Sequence, residues 1–102
     1  MRLKTIRKSH LSKKKYDAVF LKSNGKTKRI PFGQKGYGDF IIFSRKSHET
    51  GKVHKQRYLK RHSGMGEHWS KPDTPGALSR WILWNKPSFK SSVADFKKRF
   101  NL

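Results

Sequence analysis

The chain contains no cysteine, which removes disulfide frameworks and every thiolate metal site. Carboxylates are nearly as scarce. Asp17, Asp39, Glu49, Glu67, Asp73 and Asp95 are the whole acidic complement of 102 residues. A nuclease-like metal centre or a pair of catalytic carboxylates has little to draw on in so thin a scatter, and the sequence predicts no enzyme. Long apolar runs are missing too. The longest, Phe40-Ile41-Ile42-Phe43 and Trp81-Ile82-Leu83-Trp84, are far below the ~20 residues needed to cross a membrane. Met1 to Lys15 lacks the apolar stretch of a secretory signal, so none is predicted.

What is abundant is positive charge. Lys and Arg number 26 against 6 acids, a formal net charge of +20, and 13% of the chain is aromatic. This length suits one domain with a small core that leans on Phe, Tyr and Trp. A charge of this size on a small domain repels itself, and a polyanion or an acidic protein surface would neutralise it. Nucleic acid, an acidic protein lattice and an anionic membrane surface all qualify, and charge does not choose among them. The cations crowd toward the N-terminus. Arg2, Lys4, Arg7, Lys8, Lys13, Lys14 and Lys15 fall within residues 1–15. That composition predicts an extended basic arm with no core of its own, ordered only on docking, ahead of a single domain over residues 16–102.

The expected fold is α+β: a three-stranded antiparallel meander over about residues 16–44, then two or three short helices. Tyr16–Leu21 is rich in strand formers. Asn24-Gly25 is a strong hairpin signal, and Thr27–Phe32 would return beside it, with Pro31 marking an edge or an end. Phe40–Phe43 reads as a third strand buried on both faces. Ser47–Gly51 reads as a turn, and Lys52–His62 as a short helix with one buried face. Thr74 is a candidate N-cap and Pro75 a first helical residue for a helix over 75–84, in which Leu78, Trp81 and Ile82 share a face. Ser92 and Asp95 suggest a capping box for a last helix carrying Val93, Phe96 and Phe100 inward.

The motifs give little chemistry. Gly33-x-x-Gly36-x-Gly38 leads into Asp39 rather than into a helix with Lys and Ser/Thr, so it reads as turn chemistry and not as a phosphate loop. Among the histidines, His62 and His68 lie near Glu67, but no metalloprotease spacing exists and no metal site is expected. No nucleophile–base arrangement is legible. Two stretches mix rings with cations: Arg57-Tyr58-Leu59-Lys60-Arg61-His62 and Arg80-Trp81-Ile82-Leu83-Trp84-Asn85-Lys86. Such mixtures suit single-stranded nucleic acid. A domain so poor in aliphatics also needs its tryptophans, which favours Trp81 and Trp84 as core, with Arg80 pairing a carboxylate.

The span from Lys35 to about Ser92 resembles a family of small basic proteins of nucleocytoplasmic large DNA viruses of algae and amoebae. The resemblance rests on Lys35-Gly36-Tyr37-x-Asp39-Phe40, Arg57-Tyr58-x-x-Arg61-His62, Trp69, Thr74-x-Gly76-x-x-Ser79-Arg80-Trp81-x-Leu83-Trp84-Asn85-Lys86-Pro87 and Ser91. It covers a little over half the chain and implies a packaged viral protein with no catalytic residues and no cofactor. The expected function is that of a minor capsid or cement protein. Its basic arm and loops would strap acidic patches on the inner face of the capsid shell, with the major capsid protein and other capsid proteins as partners, in many copies. It would reside in the virion and, during assembly, in the host cell. The alternative is a packaged protein that coats DNA through phosphates without reading bases. Each phosphate neutralised on duplex DNA would steepen the salt dependence by about 0.9.

Overall fold

The computed structural model describes residues 1–65 and 68–102. It is an α+β fold: a three-stranded antiparallel sheet in the order β1-β2-β3, followed by helices. The strands are β1 (Arg2–Lys8), β2 (Lys14–Leu21) and β3 (Thr27–Gln34). The expected meander is present, displaced toward the N-terminus. The predicted strands at 16–21 and 27–32 are the hearts of β2 and β3, joined by a turn in which Gly25 takes φ +83°. The third strand comes from the supposed arm.

That corrects the reading of residues 1–15 as an arm with no core. Leu3 is buried against Phe20, and Ile6 packs on the same cluster opposite Ala18. Two inward residues spaced by three do not alternate. The pairing shifts between Leu3 and Thr5, where a β-bulge inserts one extra residue and returns Ile6 to the inner face.

The second correction concerns residues 39–44. Asp39 is not a strand residue but an N-cap: its Oδ1 accepts from the Ile42 amide at 3.0 Å and opens helix α1 (Phe40–Lys46). Phe40 and Ile41 turn inward while Ile42 is exposed, so the run is not buried on both faces. Ser47 ends α1 and caps α2 (His48–His62), its Oγ accepting from the Thr50 amide at 3.0 Å. The predicted turn at Ser47–Gly51 is therefore the first turn of α2. Gly51 is buried because α1 crosses close to it: a Cβ there would sit 2.4 Å from Ser44 Oγ.

Thr74 and Pro75 open α3 (Pro75–Leu78) as expected, with Thr74 Oγ1 accepting from the Ala77 amide. After one turn the coil widens into a π-helical turn, Ser79–Leu83, closed by the Trp84 amide donating to the Ser79 carbonyl at 3.0 Å. Helix α4 (Phe89–Phe100) is capped by Ser88, not Ser92. Ser92 is instead buried one turn inside. Its hydroxyl accepts from the Lys86 amide at 3.0 Å and donates to the Lys86 carbonyl, fixing the approach to α4.

The core lies between the inner face of the sheet and the C-terminal helices. Phe20 and Phe32 from the sheet meet Leu78, Ile82, Leu83 and Phe96. Phe96 sits on the stripe predicted from Val93, Phe96 and Phe100. At about 25 cal/mol per Å² of apolar surface removed from water, these few rings and branched chains supply most of the stabilisation.

Candidate functional site

Asp17 and Asp39 are buried, and Asp73 and Asp95 half-buried. Asp17, 1% exposed on the sheet face away from the core cluster, accepts from Ser9 Oγ at 2.6 Å, from the His10 amide and from the His10 ring, with Arg29 Nε 3.8 Å away. Burial pushes its carboxyl up, but the Ser9 and His10 hydrogen bonds and the His10 charge overcome this and hold it at about 2. Asp39 pairs with Lys15 at 2.7 Å, joining α1 to β2. Asp73 pairs with Lys28 at 3.1 Å, and that hydrogen bond holds its carboxyl below the ordinary range. Asp95 accepts from Asn85 Nδ2 at 2.6 Å and from Arg99 at 3.4 Å, and is held low first by the Asn85 bond. Among the described residues Glu49 is the one carboxylate outside an ion pair. With each aspartate tied to a neighbour, the exterior carries mostly cations.

Motif blocks far apart in sequence meet in space. A groove of about 460 Å³ runs between the end of the sheet, the glycine loop, the C-terminal half of α2 and the start of α3. Tyr37 and Asp39 come to it from the first block, Tyr58, Arg61 and His62 from the second, and Gly76, Ser79 and Trp84 from the last. Lys14 and Lys15 complete the wall, and Phe32 and Leu83 bring core apolar surface to it. Tyr37, on the loop between Gly36 (φ +91°) and Gly38, is 65% exposed.

Behind the groove lies a stack of rings. Tyr58 lies parallel to Trp84 with centroids 4.6 Å apart and an interplanar angle of 4°, and stacks against His62 at 4.3 Å with the rings inclined by 28°. Phe43 stacks on His54 at 3.7 Å and reaches Trp84 at 6.4 Å. Lys55 Nζ donates to the Asn85 carbonyl at 2.8 Å and lies 4.8 Å from the Phe40 ring centroid. Burial, followed by the Arg80 and Lys86 charges, lowers the Lys55 pKa. These contacts pin α2 to the π-helical turn.

Among the described residues Arg80 pairs with no carboxylate, contrary to expectation. Its guanidinium lies over Trp81 at 4.1 Å and near Trp69 at 5.6 Å, and donates to the Trp84 carbonyl at 2.9 Å. Its buried Nε has no hydrogen-bond partner among the described residues, and burial lowers its pKa. Arg99 lies over Trp81 at 3.7 Å, and Trp81 Nε1 donates to the Trp69 carbonyl at 2.8 Å. Trp81 and Trp84 are half-buried against the core, and Asn85 is buried. Arg57, Arg61 and Lys86 stay exposed. Of the supposed arm, Arg2, Lys4, Arg7, Lys8 and Lys13 are exposed while Lys14 and Lys15 are half-buried.

Sequence reasoning named neither Tyr37 nor Asp39 as a site residue, although both lie in the first motif block. An aspartate placed just before an apolar run was the available signal for a cap. The conceivable zinc site around His62 and His68 involves Glu67, which lies outside the described residues. Among the described residues, no group of three or more His, Asp or Glu could hold a metal ion. No described helix is long and apolar enough to cross a membrane. Comparison with known proteins finds no family model, curated protein or solved structure that matches this chain.

Proposed function

We propose that the protein is a non-catalytic structural component of a virion, a minor capsid or cement protein that docks by its basic exterior onto acidic patches inside the capsid shell. The observation that carries this reading is where the carboxylates go. Four of the six acids, Asp17, Asp39, Asp73 and Asp95, are tied to basic neighbours, so a chain of net charge +20 turns an outward surface of nearly one sign to its surroundings. Such a surface gains most from a partner of the opposite sign and is steered to it over distance. The viral resemblance of residues 35–92 supplies the setting.

The mode of docking differs from a strap. Arg2, Lys4, Arg7 and Lys8 stand on a strand already ordered in the sheet, so binding costs little further chain entropy. These cations are held in place before any partner arrives. The test is the position of the protein in intact particles, together with its retention by purified empty shells as salt rises. Copies in register with capsomers, released as ionic strength increases, are expected. Copies confined to the packaged genome and absent from empty shells would overturn the reading in favour of a DNA-coating protein.

A further inference from the structure

We propose that the groove between the glycine loop, α2 and α3 binds single-stranded nucleic acid, with a base against Tyr37 and Trp84 and phosphates on Lys14 and Arg61. The inference stands apart from shell docking and concerns a local site instead of the whole exterior.

The chemistry of the lining selects this ligand. At about 460 Å³ the groove has the size of a small-ligand pocket, large enough for one or two nucleotides and closed to a duplex. Among the described residues its charged rim is cationic: Lys14 and Arg61 line it, while the one described carboxylate, Asp39, is held by Lys15 at 2.7 Å. A phosphodiester therefore meets positive charge on Lys14 and Arg61, with no free acid among the described lining residues. Tyr37 is the most exposed large hydrophobic side chain among the described residues, at 65%. Water gains nothing from an uncovered phenol ring, whereas a base covers it, and stacking of this kind is worth about 1–3 kcal/mol per base. Trp84 is already braced by Tyr58 at 4.6 Å, so its ring offers a rigid wall whose position needs no ordering on binding. An acidic peptide would satisfy Lys14 and Arg61 but would bring carboxylates, not planar rings, to Tyr37.

Bulk charge makes any +20 protein bind polyanions, so the experiment separates the groove from the exterior. The probe is a fluorescein-labelled oligo-dT of about 12 nucleotides, followed by anisotropy at physiological salt. Tyr37→Ala, at an exposed loop position, is expected to weaken binding about 10-fold. Lys14→Glu with Arg61→Glu is expected to weaken it at least ten times more than the charge-matched pair Lys97→Glu with Lys98→Glu on α4. Circular dichroism confirms that each variant is folded, and ultraviolet crosslinking of oligo-dT to Tyr37 supplies a readout independent of affinity.

Equal losses from the two charge-reversed pairs would overturn the proposal, as would an unchanged Tyr37→Ala. A duplex binding as tightly as oligo-dT, or polyglutamate of matched charge displacing it equally well, would do the same, the last assigning the groove to an acidic protein segment. Failure on any of these leaves shell retention untouched, so the two readings are separable.

Discussion

The molecule is built in two ways at once. The body, formed by the sheet with α3, the π-helical turn and α4, fully buries Phe20, Phe32, Leu78, Ile82 and Phe96. The hairpin of α1 and α2 buries only Phe40, Ile41, Gly51 and Tyr58, and leaves Ile42 and Val53 about 40% exposed. The body is held by apolar contact, the hairpin by discrete tethers: Lys15 to Asp39, Lys55 to the Asn85 carbonyl, and Tyr58 on Trp84. The fully buried large aliphatics among the described residues, Leu78 and Ile82, both lie against one face of one sheet. The hairpin is docked by rings and charges, and such contacts open more readily than a packed core.

The largest effect should come from breaking the body. Phe96→Ala empties a fully buried ring site and is expected to cost about 3–5 kcal/mol, enough to unfold a small domain, with loss of the near-ultraviolet signal of both regions. A body that unfolds while α2 keeps its amide protection would reverse the dependence inferred here.

Asp17→Asn comes next, at about 2–4 kcal/mol at neutral pH, because it strips the charge that His10 and Arg29 face. The sign with pH follows from a carboxyl depressed to about 2. Its ionised form contributes fully above about pH 4, and that contribution, about 2 kcal/mol, drains away as pH falls toward 2. Denaturant midpoints at pH 7 and pH 3 should therefore differ less in the variant than in the parent.

Tyr58→Ala sharpens the contrast. It removes the ring between His62 and Trp84, and amide exchange in α1 and α2 should quicken about 10- to 100-fold, with less than about a threefold change in β2. Uniform acceleration everywhere would mean that hairpin and body open together. Gly51→Ala should have the smallest effect, about 1 kcal/mol within the hairpin. The new methyl meets Ser44 and Phe40, and better helix propensity offsets part of the clash. Slower exchange in α1 would show that the crossing there has room to spare.

The two regions were also unequally legible. Short-range signals read well in both: Asn24-Gly25 for the turn, Thr74-Pro75 for the start of α3, and the Phe96 stripe of α4. The N-terminal strand was hidden because a bulge breaks the period-2 pattern, leaving Leu3 and Ile6 three apart in a run that otherwise reads as charge. Helix α1 was hidden because four successive apolar residues carry no period at all, and only Asp39 distinguishes a capped helix from a buried strand. Gly51 misled as turn punctuation, since its lack of a side chain serves the crossing of two helices. The groove could be read only as separate blocks. Tyr58, Arg61 and His62 and the residues from Gly76 to Trp84 were singled out, but their meeting with Lys14 and Tyr37 depends on a tertiary arrangement that no local pattern encodes.

The internal placement of the aspartates has one more consequence, for behaviour in mild acid. Surface carboxylates ordinarily titrate between about pH 5 and 3 and alter a protein's grip on polyanions. Here Asp17, Asp73 and Asp95 are all held below their ordinary values, so each keeps its charge further into acid than a free carboxylate would. Through mild acid these aspartates should therefore change little, and the pH at which an acidic partner lets go should be set by the partner's own carboxylates.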